Sequence, residues 1–284
     1  MQNLGQALKE AITNMTDSPS DVVHTCPFCQ KVVPKLKLNV LGVEKVVQPF
    51  CKCEVDNWEK GVQEAIERKQ RNDIEQRFSL SKLGERFNEC TFEAFKPRKG
   101  SERAAMLAKN YAETFPVYGE NGLLIWGEPG NGKSHLAAAI CHVVKEKGYI
   151  PVFQSVPELL ERIRSTFGNR KTEETEKEIM DALRECDLLV LDDIGAEKIS
   201  DWVLDAMFRI IDGRYRKKKP IVYTTNFSPS DLLARFMPDR PTKEDEIMAK
   251  RIHDRIIETS VIVENKASSY RMEVARNRVR EMTG

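Results

Sequence analysis

Several absences narrow the field before any motif is read. No apolar run in the 284 residues approaches the ~20 that a helix needs to cross a bilayer, so a membrane-spanning role is not expected. Residues 1–10 show no basic patch leading into an apolar core, so a secretory leader is not expected either, and the expected compartment is the cytoplasm. Charge of one sign is also lacking. Lys and Arg number 45 against 44 Asp and Glu, so any nucleic-acid surface must be a local patch rather than a property of the whole chain. The seven cysteines are an odd number in a chain with no visible leader, which argues against a disulfide framework. The length allows one large domain or two modest ones, and either can bury a core.

The most informative stretch is Gly127-Glu-Pro-Gly130-Asn-Gly132-Lys133-Ser134, which fits the phosphate-loop pattern G-x-x-x-x-G-K-[ST]. Its surroundings give the pattern physical meaning. Leu123-Leu124-Ile125-Trp126 reads as a buried strand before it. Residues 135–147 read as a helix after it, with Leu136, Ala139, Ile140, Val143 and Val144 at helical spacing. A strand, a glycine-rich loop and a helix N-terminus point backbone N–H groups and a helix dipole at one place, which favours a polyphosphate. In such a loop Lys133 reaches the β- and γ-phosphates of ATP and Ser134 ligates Mg²⁺.

Four cysteines lie early, as Cys26-x-x-Cys29 and Cys51-x-Cys53, and two thiolate pairs suit tetrahedral Zn²⁺ in a closed structural site. The spacer holds Val32, Val33, Leu36, Leu38, Val40, Leu41, Val43, Val46 and Val47, punctuated by Pro34 and Gly42. It reads as short strands and turns in a zinc-ribbon-like module that depends on its metal. The second pair has the shorter C-x-C spacing, and His24 is an alternative fourth ligand. A redox dithiol would need a thioredoxin-like βαβ setting, which the flanking sequence does not supply. Cys90, Cys141 and Cys186 are solitary and read as small buried hydrophobes. From Glu54 to about Gln76 the composition turns to Glu, Lys, Arg and Gln, with Trp58, Val62, Ala65 and Ile66 at helical spacing, as in a solvated helix.

Beyond the phosphate loop, apolar runs alternate with helical patterns, so the expected fold class is α/β: a parallel sheet with helices on both faces. Residues 149–154 read as a strand, and 156–167 as a helix behind a Ser155-x-x-Glu158 capping box. A polar stretch, 168–177, leads to a further helix. Leu188-Leu189-Val190-Leu191-Asp192-Asp193 is a buried strand ending in two carboxylates, the Walker B position. There Asp192 belongs to the Mg²⁺ shell and Asp193 orients or deprotonates the attacking water. Ile221-Val222-Tyr223-Thr224-Thr225-Asn226 is another apolar strand, with an amide at its tip able to bond the γ-phosphate or the lytic water.

These segments, with Cys90-Thr91-Phe92-Glu93-Ala94-Phe95, Arg251-Ile-His-Asp-Arg255 and Ser269-Tyr270-Arg271, follow the order seen in AAA+ ATPases. More narrowly, the chain resembles the DnaC/DnaI-type replicative helicase loaders, whose superfamily includes the IstB group. The resemblance implies a zinc-binding partner-docking module at 1–56, a charged helical linker at 57–90, and an AAA+ domain at 91–284. It implies that Asn226 takes the sensor 1 place and that Arg271 takes the sensor 2 place at the protein's own γ-phosphate. Arg255, with Arg251 as an alternative, takes the arginine-finger place in a neighbour's site. It further implies an AAA+ oligomer, a hexameric replicative helicase as partner, and single-stranded DNA met by Arg162, Arg164, Arg170 and Lys171. The acidic residues Glu173, Glu174, Glu176 and Glu178 lie close by.

Two departures stand out. The chain has Asp192-Asp193 where many AAA+ proteins have Asp-Glu, which implies slow or partner-stimulated hydrolysis. Only thirteen residues follow Arg271, so a single helix or a neighbouring subunit is expected to cover the nucleotide. The competing functions are an IstB-like transposition-helper ATPase and an adaptor that binds ATP without hydrolysing it.

Overall fold

The computed structural model describes residues 24–40, 43–78, 85–167 and 174–283. Contacts divide the chain into two compact units, Met1–Lys69 and Gln70–Gly284.

In the first unit, β1 (His24–Thr25) pairs antiparallel with β2 (Val32–Val33), and β3 (Leu36–Val40) pairs antiparallel with β4 (Val43–Val47). The expected short strands are therefore present in the cysteine spacer, while Leu41 and Gly42 lie outside the described residues. The charged segment forms helix α1 (Lys52–Arg77), which begins in this unit. Trp58 and Ile66 stay in solvent, and Val62 is half-buried.

The second unit is built on a five-stranded parallel sheet. Its strands are β5 (Gly122–Trp126), β6 (Pro151–Ser155), β7 (Leu188–Asp192), β8 (Ile221–Thr225) and β9 (Ser260–Glu264), in the order β6-β7-β8-β5-β9. The inner strands are buried on both faces, which is why they read as unbroken apolar runs in the sequence. Alternate residues still go to opposite cores, as the two-residue period of a strand requires. Leu123, Ile125, Leu188, Val190 and Val222 pack with α3 (Glu102–Thr114) and α4 (Lys133–Glu146). Leu124, Leu189, Leu191 and Tyr223 pack on the other face with α5 (Val156–Ser165), α6 (Glu176–Glu185) and α7 (Asp201–Arg216). The short helix α2 (Glu85–Asn88) precedes α3. Helices α8 (Pro229–Arg235) and α9 (Lys243–Glu258) lie between β8 and β9, and α10 (Tyr270–Thr283) follows β9.

One expectation needs correction. Ser155 precedes α5 but its side chain caps nothing. It is the last residue of β6, in register with Asp192, and Pro157 in the first turn lacks one of the N–H groups that a cap could serve. The capping boxes form elsewhere, at Thr175 with Glu178 and at Thr242 with Asp245.

Parallel strands end together, so the C-terminal ends of β5, β7 and β8 bring Gly127, Asp192–Asp193 and Asn226 to one edge of the sheet. Ligands of open α/β sheets bind outside that edge.

Candidate nucleotide site and cysteine cluster

The loop after β5 turns on three left-handed glycines, Gly127 (φ 142°), Gly130 (φ 78°) and Gly132 (φ 101°). At Gly132 there is a second reason for glycine, because a Cβ would stand 2.8 Å from the Phe95 ring. Helix α4 starts at Lys133, whose side chain bends back under the loop. Its Nζ donates to the carbonyls of Gly127 (2.8 Å) and Glu128 (2.9 Å) and to Asn226 Oδ1 (2.9 Å). Burial pulls the Lys133 pKa down to about 8, although the neighbouring Asp193 and Asp192 favour its charge.

Asp192 closes β7 almost fully buried. Burial pushes its pKa up, while hydroxyl donors on Thr224 and Ser134 favour the ionised form. The Thr224 hydroxyl donates to Asp192 Oδ1 at 2.5 Å. Asp193, the first residue off the strand, takes the left-handed conformation (φ 62°). Its N–H donates to Thr224 Oγ1 (2.9 Å), and its Oδ1 accepts from Asn226 Nδ2 (2.8 Å). Asn226 thus ties Lys133 to Asp193, accepting from one and donating to the other. Asp192 and Ser134 form a hard oxygen donor set at the mouth of the loop, which suits Mg²⁺.

The C-terminal segment docks on the same loop. Asn131 and Asn265 exchange side-chain-to-carbonyl bonds (2.7 and 3.1 Å), and the Tyr270 N–H donates to Gly130 O at 2.8 Å. Arg98 spans the junction. Its guanidinium donates to Asn131 O (3.0 Å) and to Ser268 O, and lies over the Tyr270 ring. A cavity of about 580 Å³ results, within the range for small-molecule sites. Lys133, Ser134, Asp192, Asp193, Asn226 and Arg271 all line it, with Phe87, Ala94 and Phe95 supplying apolar wall.

Not every candidate converges there. Arg255 on α9 pairs with Asp212 (2.5 Å) and lies over the Phe208 and Tyr215 rings, outside the cavity lining. Arg251 lies over the same Phe208 ring but is exposed. Of the four basic residues expected to meet DNA, Arg162 is taken up by a two-pronged bond to Glu174 (2.8 Å each) and Arg164 lies over Trp202. Arg170 and Lys171, with Glu173, lie outside the described residues. Cys141 and Cys186 are buried as expected, whereas Cys90 is half-buried and lines the nucleotide cavity, because its turn forms part of the cavity wall.

Residues with no forecast role complete the site: Thr224, Arg98, Asn131 and Asn265. Thr224 is within reach of the sequence, since residues two apart on a strand share a face and Asn226 is the amide at that strand's tip. Arg98 and Asn265 carry no local signal.

In the first unit the ligand atoms of Cys26, Cys29, Cys51 and Cys53 lie within 4.8 Å of one another, and Cys29 Sγ and Cys51 Sγ are 3.6 Å apart. Zn–S bonds of about 2.3 Å in a tetrahedron require sulfur separations of about 3.8 Å, so the cluster is of the right size. Thiols this close cannot ionise independently. The backbone N–H of Lys31 helps draw Cys29 down to about 7, while its bond to Cys29 leads the effects that push Cys53 up to about 12. A divalent cation would resolve that conflict. His24, the alternative fourth ligand, lies outside this cluster: its Nε2 is 2.9 Å from both Glu54 carboxylate oxygens. The C-x-C spacing works because Cys51 lies just before α1 and Cys53 in its first turn.

The profile of a family described as IstB-like ATP binding protein matches residues 60–278. The replicative helicase loader DnaI of Bacillus subtilis is 31% identical over 150 residues, which make up 52% of this chain and 46% of that protein. The replicative helicase loader DnaC of Escherichia coli K12 is 29% identical over 214 residues, 74% of this chain and 81% of that protein. Among solved structures, a DnaC helicase loader superposes with a TM-score of 0.54 at 25% identity, covering 64% of this chain and all of that one. The match to DnaI therefore spans about half of that relative's length. Among the described residues no helix is long and apolar enough to cross a membrane.

Proposed function

The chain belongs to the IstB-like ATP-binding protein family, and on that premise we propose that it is a cytoplasmic ATPase that delivers a hexameric replicative helicase onto single-stranded DNA. The observation that carries the reading is the convergence of Lys133, Ser134, Asp192, Asp193, Asn226 and Arg271 on one cavity at the phosphate loop. ATP lies with its phosphates against the N–H groups of Gly130 and Gly132 at the start of α4. Lys133 exchanges its loop carbonyls for phosphate oxygens, which releases Asn226 from the ammonium. Ser134 and Asp192 would hold Mg²⁺, which would supply charge neutralisation to the phosphates. Asp193 positions the attacking water, with Asn226 fixing the carboxylate. Arg271 reaches the γ-phosphate from α10, so that nucleotide state is felt by the C-terminal helix. Asp193 is one methylene shorter than glutamate and already engaged by Asn226, which fits slow, partner-stimulated turnover.

Arg255 serves as arginine finger in an adjoining subunit's site, released from Asp212 on assembly, with the exposed Arg251 as its alternative. Residues 1–56 form a zinc-ribbon-like module held by Zn²⁺ on Cys26, Cys29, Cys51 and Cys53, and this module docks the helicase. Residues 57–90 lead from this module into the AAA+ domain of 91–284, and at their end Phe87 and Cys90 already line its cavity. Arg162 and Arg164 contribute to a DNA surface once freed from Glu174 and Trp202.

The relatives named as replicative helicase loaders support this reading, and the family description itself supports a second one, a transposition helper. Mixing the full chain with the purified hexameric helicase of its host, or with the matching transposase, separates them. A stable complex with the helicase, lost in Cys26→Ser, is expected. Assembly with a transposase alone would select the helper.

A further inference from the structure

One hydroxyl stands between the two acidic residues of the nucleotide site. Thr224 is fully buried in β8, 1% exposed, and its Oγ1 accepts the Asp193 N–H at 2.9 Å while donating its only proton to Asp192 Oδ1 at 2.5 Å. Those two bonds have different consequences. The first helps hold Asp193 in its left-handed conformation, which L-residues adopt uncommonly. The second fixes one oxygen of the Asp192 carboxylate and so orients the other.

The turn itself does not depend on that hydroxyl. The Ile194 N–H donates to the Thr224 carbonyl (2.9 Å), and the Thr225 hydroxyl donates to the Ile194 carbonyl (2.7 Å). Two bonds that spare the Thr224 side chain therefore anchor the residue after the acidic pair. Loss of the Thr224 hydroxyl should leave the turn in place and misalign only the acids.

We propose that Thr224 is a positioning residue that presents Asp192 to the metal and Asp193 to water through a single shared hydroxyl. The proposal rests on the reading that this cavity binds Mg²⁺-ATP. Carboxylates that ligate metals are held by hydrogen bonds of this kind, and removing such a partner costs about 10–100-fold in metal affinity or activity.

The test replaces the hydroxyl with a methyl of similar size, Thr224→Val, and compares it with Thr224→Ser, which keeps the donor and the acceptor. The first readout is affinity for a fluorescent, non-hydrolysable ATP analogue, with EDTA and across a Mg²⁺ titration. The second is the rate of ATP hydrolysis. Thr224→Val should bind the analogue like wild type in EDTA, need about 10–100-fold more Mg²⁺ for the metal-dependent gain, and lose kcat by a similar factor. Thr224→Ser should restore both. If valine prevents folding, Thr224→Ala removes the same hydroxyl with less bulk and is expected to behave identically. Wild-type Mg²⁺ dependence in a folded valine or alanine variant overturns the proposal, and so does equal loss with and without Mg²⁺. A wild-type protein that binds no analogue at all refutes the nucleotide reading instead.

Discussion

The depressed pKa of Lys133 makes nucleotide affinity depend on pH in a calculable way. In the protein alone, burial brings this ammonium to about 8 against an ordinary 10.5. Bound phosphates favour the charged form and return the pKa to its ordinary range or above, so nucleotide binding takes up a proton wherever the free lysine is neutral. At pH 7 roughly nine-tenths of the free protein already carries the charge, and at pH 9 roughly one-tenth does. Affinity for ATP should therefore fall about tenfold between pH 7 and pH 9, or about 1.4 kcal/mol. At pH 8 binding should take up about half a proton. The terminal phosphate ionises near pH 6, below this window. The same shift acts on stability with the opposite sign. Between pH 8 and 10.5 the unfolded lysine binds more protons than the folded one, so its contribution to the stability of the protein alone rises with pH. Isothermal titration with a non-hydrolysable ATP analogue, in buffers of different ionisation enthalpy, measures affinity and proton uptake together. Lys133→Arg is the control, because its guanidinium stays charged throughout. Affinity flat from pH 7 to 9 with no proton uptake would refute the reasoning, and so would a pH dependence that survives in Lys133→Arg.

Other outcomes follow from named contacts. Freshly purified reduced protein should carry about one Zn²⁺ per chain by elemental analysis, and Cys53→Ser should lose it; full retention would remove the thiolate site. Arg214, fully buried, donates to the carbonyls of Leu183 (2.7 Å), Cys186 (2.9 Å) and Pro220 (2.8 Å). Arg214→Met removes the short bond to each of three buried acceptors and leaves them only long ones, from Cys186 Sγ (3.5 Å), Lys219 Nζ (3.5 Å) and the Leu189 N–H (3.4 Å), so urea denaturation should show a loss of about 3 kcal/mol, at about 1 kcal/mol each; an unshifted midpoint contradicts that. Arg255→Ala should bind nucleotide normally yet lose roughly 10³–10⁵ in assembly-dependent turnover. Mixing it with Lys133→Ala should recover part of that rate, and unchanged turnover by Arg255→Ala alone would leave the residue a structural partner of Asp212.

What the sequence disclosed and what it withheld follow the range of the interactions involved. The phosphate loop, the β7 carboxylates and Asn226 were legible because each depends on a strand and the few residues beyond its end. Thr224 acts on residues more than thirty positions away, and Arg98 on Ser268 at the far end of the domain. No local pattern encodes such partners. The strand order was equally hidden, since β5 pairs with β8 and β9, both distant in the chain. Helix α3 carries little sequence signal because its buried stripe is mostly alanine, at Ala104, Ala108 and Ala112, and gives little hydrophobic contrast. Edge strand β9 offers only a three-residue apolar run, and its Val261 and Ile262 are exposed. Ser155 and Thr175 fit the same capping pattern, yet only Thr175 lies free of a strand and of a following proline, so the pattern alone could not choose between them.

The central claim is that ATP at this site drives delivery of a helicase. It is tested most directly by loading the host replicative helicase onto single-stranded circular DNA coated with single-strand-binding protein, with unwinding of an annealed strand as the readout. Unwinding should require both this protein and ATP, and should fail when Lys133→Ala replaces wild type although the helicase complex still forms. Unwinding at the wild-type rate with Lys133→Ala, or in the absence of this protein, would contradict the account.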